Sequence, residues 1–426
     1  KMARNLTASF NMNYNDKSTE MPLNQRDAEP ERMYGTFSDL ARAPRFTPAY
    51  INDVPVGNSI PSNGSHPLEV MNSGSYRRSK SNDMSAGLSL EYKFEKVNGL
   101  KMKLAGSFSN GANFGKQLSK PYYVYNFIPL TEKSPLLSEQ QYTIGDTQYQ
   151  RKIENGDKIY ESSSRSYNYQ LNPEVSYANK FGKHDLSALL MFELSESGGN
   201  GMSLSRQGVI IENYEVMAGY GSSSQTTASN INTKSRRQSF IGRFNYNYDN
   251  RYFIESATRY EASTNFAPGY RWGLFPSISA GWRISEEDFF KENVSFMDNL
   301  KFRASYGRLG NDKVSMNQWR SSYGTVPDAA YVGGSSLSSV LYPTMEGLFI
   351  LNSTWEKTDS YNAGIDMRLF GDFSVSVDGF YRHTFDILDD YKSAFPQSSG
   401  INAATPKLNY GVQDSWGGEM ELGYNK

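Results

Sequence analysis

Apolar and polar residues alternate with a period of two through most of the chain. Between Asn5 and Asn15, Leu6, Ala8, Phe10, Met12 and Tyr14 interleave with polar neighbours. The same register returns at Met84–Phe94, Leu100–Phe108, Tyr167–Tyr177 and Leu186–Phe192. In the second half it marks Phe240–Tyr248, Tyr252–Tyr260, Ile278–Ile284, Leu300–Tyr306, Tyr361–Leu369, Phe373–His383 and Trp416–Tyr424. A period of two is the signature of strands with one apolar and one wet face. About twelve strands follow, many near the ~9–11 residues that cross a bilayer when tilted.

The connections alternate as regularly. Short links join Glu95 to Leu100, Asn179 to His184, Tyr248 to Tyr252 and Phe370 to Phe373, with a longer one over Ser285–Asn299. Between them fall long links at 16–83, 110–165, 194–237, 310–354 and 385–414, and a moderate one at 262–274. Tight turns on one rim and long loops on the other are the arrangement of a transmembrane antiparallel β-barrel, with short periplasmic turns and long extracellular loops. β-sandwiches and propellers also alternate, but seldom place a loop of ~40–70 residues at every second connection.

Composition agrees. Mean hydropathy is −0.63 and 21% of residues are charged, so no stretch supplies the ~18 apolar residues of a spanning helix. Aromatics reach 14%, which a disordered chain lacks. Forty-four Lys+Arg against 45 Asp+Glu leave a net charge of −1 and no basic field for nucleic acid. Without cysteine there is no disulfide, thiolate metal site or cysteine nucleophile. Lys1-Met2-Ala3-Arg4 opens no signal peptide, as in a mature or truncated chain.

Alternation assigns faces. The apolar side meets lipid, and Lys101, Lys103, Arg243, Glu255, Arg259, Arg283, Lys301, Arg303, Asp366, Arg368, Asp378 and Arg382 face the lumen. Both signs occur, so the lumen is not a simple anion or cation filter.

From Gln238 onward particular blocks stand out. Phe244-Asn245-Tyr246-Asn247-Tyr248-Asp249-Asn250-Arg251-Tyr252-Phe253 precedes Gly273-Leu274-Phe275-Pro276-Ser277-Ile278-Ser279-Ala280-Gly281-Trp282-Arg283. Leu300-Lys301-Phe302-Arg303-Ala304-Ser305-Tyr306-Gly307, Trp355-Glu356-Lys357-Thr358, Asn362-Ala363-Gly364-Ile365-Asp366 and Tyr381-Arg382 follow in order. These blocks resemble the SusC-like (SusC/RagA) family of TonB-dependent outer-membrane transporters. One departure is Arg259-Tyr260-Glu261-Ala262-Ser263, where that family commonly reads Arg-x-Asp-Gly-Ser.

The resemblance implies a cell outer membrane location and energised import of oligosaccharides, glycans or oligopeptides. It implies two partners, a SusD-like surface lipoprotein as lid and the TonB complex acting through a plug. It implies no cofactor and no enzymatic activity. Family members have an N-terminal extension, a plug and a 22-stranded barrel. Here no plug-like segment and only about twelve strands are legible, and the chain closes on Asn425-Lys426 rather than an aromatic. Residues 1–426 are therefore expected to be a partial barrel domain. A passive porin or adhesin barrel, and a barrel hydrolase centred on His383, remain as alternatives.

Several residues are candidates for contact with ligand or partner. Trp319, Tyr323, Tyr331 and Tyr342 in one long loop, and Tyr122, Tyr123, Tyr125 and Phe127 in another, offer stacking faces with polar tips. Self-packing of the loops is the ordinary alternative. Trp282 and Trp355 read as interfacial anchors, and Trp416 as the start of a descending strand at the outer girdle. Ser285-Glu286-Glu287-Asp288 reads as a helical turn with Ser285 as N-cap. Gly198-Gly199-Asn200-Gly201 reads as a loop. His66, His184 and His383 lack metal-site spacing, so no metal site is expected.

Overall fold

The computed structural model describes residues 5–23, 34–43, 45–58, 60, 66–132, 134, 136–153, 158–211, 214–221, 227–314, 319, 323–332, 338–345, 352–390 and 407–425. Twelve strands form one antiparallel sheet in chain order. They are β1 (Leu6–Pro22), β2 (Tyr76–Lys93), β3 (Leu100–Ser119), β4 (Lys158–Phe181), β5 (His184–Gln207) and β6 (Thr227–Tyr248). β7 (Tyr252–Ser263), β8 (Trp272–Arg283), β9 (Met297–Asn311), β10 (Glu356–Leu369), β11 (Phe373–Asp390) and β12 (Lys407–Tyr424) complete it. Among the described residues β1 and β12 each have a strand on one side only.

The turns explain the tight rim. Asp249 and Asn250 both adopt positive φ (51° and 57°), the type I′ geometry whose twist matches a hairpin, and the Arg251 N–H returns to the Tyr248 carbonyl at 2.9 Å. Gly371 (φ 75°) serves the β10–β11 turn beside Phe370, whose own φ of 53° is costly for a bulky residue. Phe370 sits against Phe296 with centroids 5.9 Å apart.

The outward face carries the expected apolar set, with Leu190 69% and Ile278 53% exposed. Such exposure would be a liability in water and is natural against lipid. Aromatic rows bound it. Near the turns, Tyr252 stacks on Trp282 (6.5 Å) and Phe373 meets Tyr424 (4.8 Å). Toward the long loops, Phe240 and Tyr260 flank Trp272 at 6.2 and 4.4 Å, and Tyr361 lies between Tyr306 and Tyr381 at 5.1 and 6.2 Å. Between the rows Ala280, Ala304, Ala363, Gly379 and Gly418 stand side by side on five strands, leaving a shallow lateral groove of small residues.

Five sequence expectations are corrected. The strands run well past their predicted ends, so 194–207, 227–237, 158–165 and 110–119 are ladder rather than loop. Above the membrane both faces are wet, and alternation fades in stretches such as Ser162-Ser163-Ser164-Arg165-Ser166 while backbone pairing continues. Gly198-Gly199-Asn200-Gly201 therefore lies in β5. A Cβ on Gly198 would meet the Tyr167 hydroxyl at 2.6 Å, and one on Gly199 the Arg165 carbonyl at 2.8 Å, so close side-chain and backbone approach explains the glycines.

Ser285 is not an N-cap. A 3₁₀ turn at Ile284–Glu286 precedes helix α1 (Asp288–Asn293), whose cap position is held by Glu287 with no side-chain cap bond. Glu287 instead accepts from the Tyr252 hydroxyl (2.6 Å), the Trp282 indole (3.1 Å) and Arg251 (3.2 Å). These bonds hold its carboxyl below the usual range, the Tyr252 hydroxyl contributing most. Trp282 thus lies in the aromatic row beside the short turns.

Trp355 does not anchor in the interface. It is 2% exposed and packs with Phe266 and Phe275 at 5.4 and 5.1 Å, donating its indole N–H to the Arg271 carbonyl at 2.8 Å. Trp416 does not begin a strand either: it sits mid-way along β12, 81% exposed, opposite Tyr381 in the outer aromatic row.

Candidate functional site

Strand parity places the predicted charges on the face opposite the apolar one, and the register shows which of them meet. On β6 and β7, Arg243 reaches Glu255 at 2.7 Å. Arg259 bridges Glu193 of β5 (2.6 Å) and Glu261 (2.5 Å), with Gln170 also donating to Glu193 at 2.9 Å. On β9–β11, Arg303 holds Asp366 (3.1 Å) and Asp378 (2.5 Å), and Ser376 donates to Asp366 at 2.8 Å. The guanidinium fork makes such double carboxylate contacts possible.

Nearer the turns, Phe253 is turned to this wet face. Lys301 lies over its ring at 4.7 Å and Arg283 at 5.5 Å, so the cations are held by the ring face. A hollow of about 550 Å³ opens here, lined by Asp185, Asn245, Phe253, Glu255, Lys301 and Arg303 among others. Arg368 is spent on the rim, donating to the Gly371 carbonyl at 2.9 Å. Arg382 lies over Phe380 at 5.0 Å. Lys101 and Lys103 stand on the same face of β3.

Two of the buried knots beneath the outer loops hold candidate residues. In the first, helix α2 (Pro67–Asn72) is capped by His66, whose Nδ1 accepts from the Glu69 N–H at 3.1 Å. Tyr122 is buried against Val70 and Val124 and accepts from the His66 N–H at 2.9 Å. Phe127 is buried as well, its N–H held by Asn58 at 2.6 Å. Tyr125 is partly buried, its carbonyl bound by the Gly57 N–H at 2.7 Å, whereas Tyr123 is 44% exposed. Tyr50 donates to Glu69 at 2.5 Å, and burial followed by this carboxylate raises its pKa.

The second knot gathers Phe266, Phe275 and Trp355. Beside it buried Asp312 takes both Nε and Nη2 of Arg237, while Asn265 donates to the Asp312 carbonyl at 3.1 Å. Each fully buried aromatic contributes about 2 kcal/mol by removal of apolar area from water. Gly310 and Gly273 are required here, since a Cβ on either would fall 2.1 or 2.3 Å from the Phe275 ring. The knot clamps both ends of the 312–355 segment.

Trp319 is tied to this knot: its indole donates to the Thr264 carbonyl at 3.4 Å and Arg271 lies 5.8 Å over its ring. Tyr323 and Tyr331 fall on one strand (Tyr323–Val332) and Tyr342 on its partner (Ser338–Met345) of a hairpin in the same loop. Their side chains lie outside the described residues. His383 faces outward above the aromatic row, with Nδ1 2.7 Å from Asp414 and its ring 5.4 Å from Phe385. That neighbourhood is acidic and aromatic. Among the described residues no group of His, Cys, Asp and Glu is arranged for a metal ion.

Sequence reasoning missed Phe253, Glu193, Glu261, Phe275 and Trp355 as site-building residues. Phe253 had a signal: Tyr252-Phe253-Ile254 breaks alternation with three apolar residues in a row. Phe275 left none, because its burial depends on loop 264–271 folding over it.

The TonB dependent receptor-like, beta-barrel family matches residues 20–425. "TonB-dependent receptor SusC" of Bacteroides thetaiotaomicron is 27% identical over 367 residues, which is 85% of this chain and 32% of that protein. "TonB-dependent receptor P39" of Formosa agariphila is 34% identical over 187 residues, 43% of this chain and 17% of that protein. The chain thus spans about a third or less of these relatives. In three dimensions it is similar to the RagAB peptide importer in its "open-open" state, with TM-score 0.73 and 18% identity, over 99% of this chain and 42% of the other. Fold, register and sequence together show that the chain belongs to the TonB-dependent receptor-like β-barrel family of the outer membrane.

Proposed function

We propose that this chain forms part of the wall of a TonB-dependent importer that carries oligosaccharides, glycans or oligopeptides across the outer membrane. Its twelve strands would be one section of a larger barrel, whose lumen holds a plug pulled through TonB and whose loops seat a SusD-like surface lipoprotein. The observation that carries this reading is the similarity to SusC over 85% of the chain, on strands whose wet face is a charge-paired wall. The RagAB structures, described as a peptide importer and transporter, support the peptide end of the ligand range. Trp319, Tyr323, Tyr331, Tyr342, Tyr123 and Tyr125 are proposed as contacts to ligand or lid. Tyr122 serves instead to hold the loop together.

Energised import separates this reading from a passive porin. Uptake by cells expressing the full-length protein should stop on adding a protonophore or deleting TonB, and uptake that continues would refute it. Removing residues 315–350, while keeping Asp312 and Trp355, should reduce uptake or lipoprotein capture and leave the heat-modifiable barrel intact.

A further inference from the structure

One strongly charged surface is used neither by the lumen nor by the loop knots. On β5 the outward face reads Leu190, Phe192 and Leu194, then Glu196, Gly198 and Asn200. The register sets Glu196 between Tyr169 of β4 and Arg236 of β6, Gly198 between Tyr167 and Lys234, and Asn200 between Arg165 and Asn232. Rows two residues apart rise by about 5 Å at ~40° of strand tilt, so these cations begin one row above the continuous apolar run that ends at Leu194. That is headgroup depth.

Lys234 reaches Glu196 at 2.8 Å, Arg236 binds its other oxygen, and the Tyr167 hydroxyl donates at 3.0 Å. The Glu196 side chain is only 7% exposed, whereas Lys234 and Arg236 remain 51% and 57% exposed. The carboxylate is therefore an enclosed hub and the cations turn their remaining donors outward. Arg165 is exposed one row higher. Three positive charges against one negative leave an excess of two.

Among the described residues two other stretches of the boundary are charge-matched or acidic. At the outer end of β9–β12, Arg308 is matched by Asp359 and His383 by Asp414. At the inner rim the outward aromatic row ends on the carboxylate Glu287.

We propose that Arg165, Lys234 and Arg236 form a binding site for the phosphate groups of anionic lipid in the outer leaflet. The face is turned away from the lumen, so an imported ligand does not meet it. Its height matches headgroups, and two guanidinium forks and an ammonium are donors suited to phosphate oxygens.

The test uses the full-length protein in mild detergent, with native mass spectrometry reading occupancy by short-chain phosphatidylglycerol and phosphatidylcholine. The wild type should prefer the anionic lipid. Each cation near a headgroup contributes about fivefold, so K234Q/R236Q should weaken that preference roughly 25-fold, while R308Q leaves it unchanged. Equal occupancy by the two lipids in the wild type, or an unaltered preference in K234Q/R236Q, would overturn the proposal. So would loss of a co-purifying protein with lipid preference intact, since the patch would then be a protein interface. If K234Q/R236Q fails to form the heat-resistant barrel, R165Q decides: its preference should fall about fivefold, and no change sinks the idea.

Discussion

Replacing Trp355 by alanine tests whether the aromatic knot holds the outer loops. The side chain is 2% exposed, touches Phe266 and Phe275, and donates to the Arg271 carbonyl at 2.8 Å. Truncating a buried tryptophan costs about 3–5 kcal/mol, of which about 1 kcal/mol is the hydrogen bond. That penalty falls on the knot, because the sheet ladders on either side keep their own pairings. Opening of loop 264–271 should become at least about a hundredfold more frequent, as 1.4 kcal/mol corresponds to tenfold. The Arg271 carbonyl is the acceptor lost, so trypsin cleavage after Arg271 is the direct reading. W355A in the full-length protein should be cut there about a hundredfold faster. W355F, which keeps a ring and loses the donor, should be cut only about fivefold faster. Both should retain heat-modifiable mobility. Wild-type cutting rates in W355A would show that the loop is held by something other than this cluster.

Two further outcomes follow from the wall and the rim. Replacing Arg303 by Met leaves Asp366 and Asp378 facing each other without their shared cation, and should lower stability by about 1–2 kcal/mol, discounted for partial exposure; R303M/D366N/D378N should recover most of the loss in a urea titration, and no recovery would refute the pairing. Glu287 has a depressed folded-state pKa, chiefly through the Tyr252 hydroxyl, so its contribution is complete above the ordinary carboxylate value and is lost as pH falls through the folded value. Hydrogen exchange of the Ile284–Asn293 amides should rise in that acid window and the rise should vanish in E287Q; identical profiles would remove Glu287 from the rim's support.

The membrane-spanning part of each strand was legible because lipid on one side and water on the other impose alternation at every step. Met84 to Phe94 shows it plainly. The upper ladders were not legible. From Glu196 to Gln207 both faces of β5 are wet, so no force sorts its residues, and only pairing with β4 and β6 reveals a strand. Charged positions such as Arg303 and Asp366 could be assigned to the face opposite the apolar one, whereas their partnership needed the register. Trp355 misled because an aromatic at a strand start usually marks an interface. Its burial is made by Phe266, more than 80 residues earlier, and by an eight-residue loop with no periodicity of its own. Ser285 was misread as a cap for a related reason: Glu287 is drawn to the aromatic rim, and the helix starts only after that contact is made.

The unequal strand lengths set where large molecules can approach. From the shared turn at Tyr248 and Tyr252, β6 climbs to Thr227 but β7 only to Ser263. Ten residues of extra ladder amount to about 25 Å of height at ~40° of tilt. The rim is thus a parapet over β4–β6 with a sill at β7–β8, floored by the knot around Phe275. Among the described ladders the rim is therefore stepped rather than level, and a molecule meeting β4–β6 touches backbone about 25 Å higher than one meeting β7.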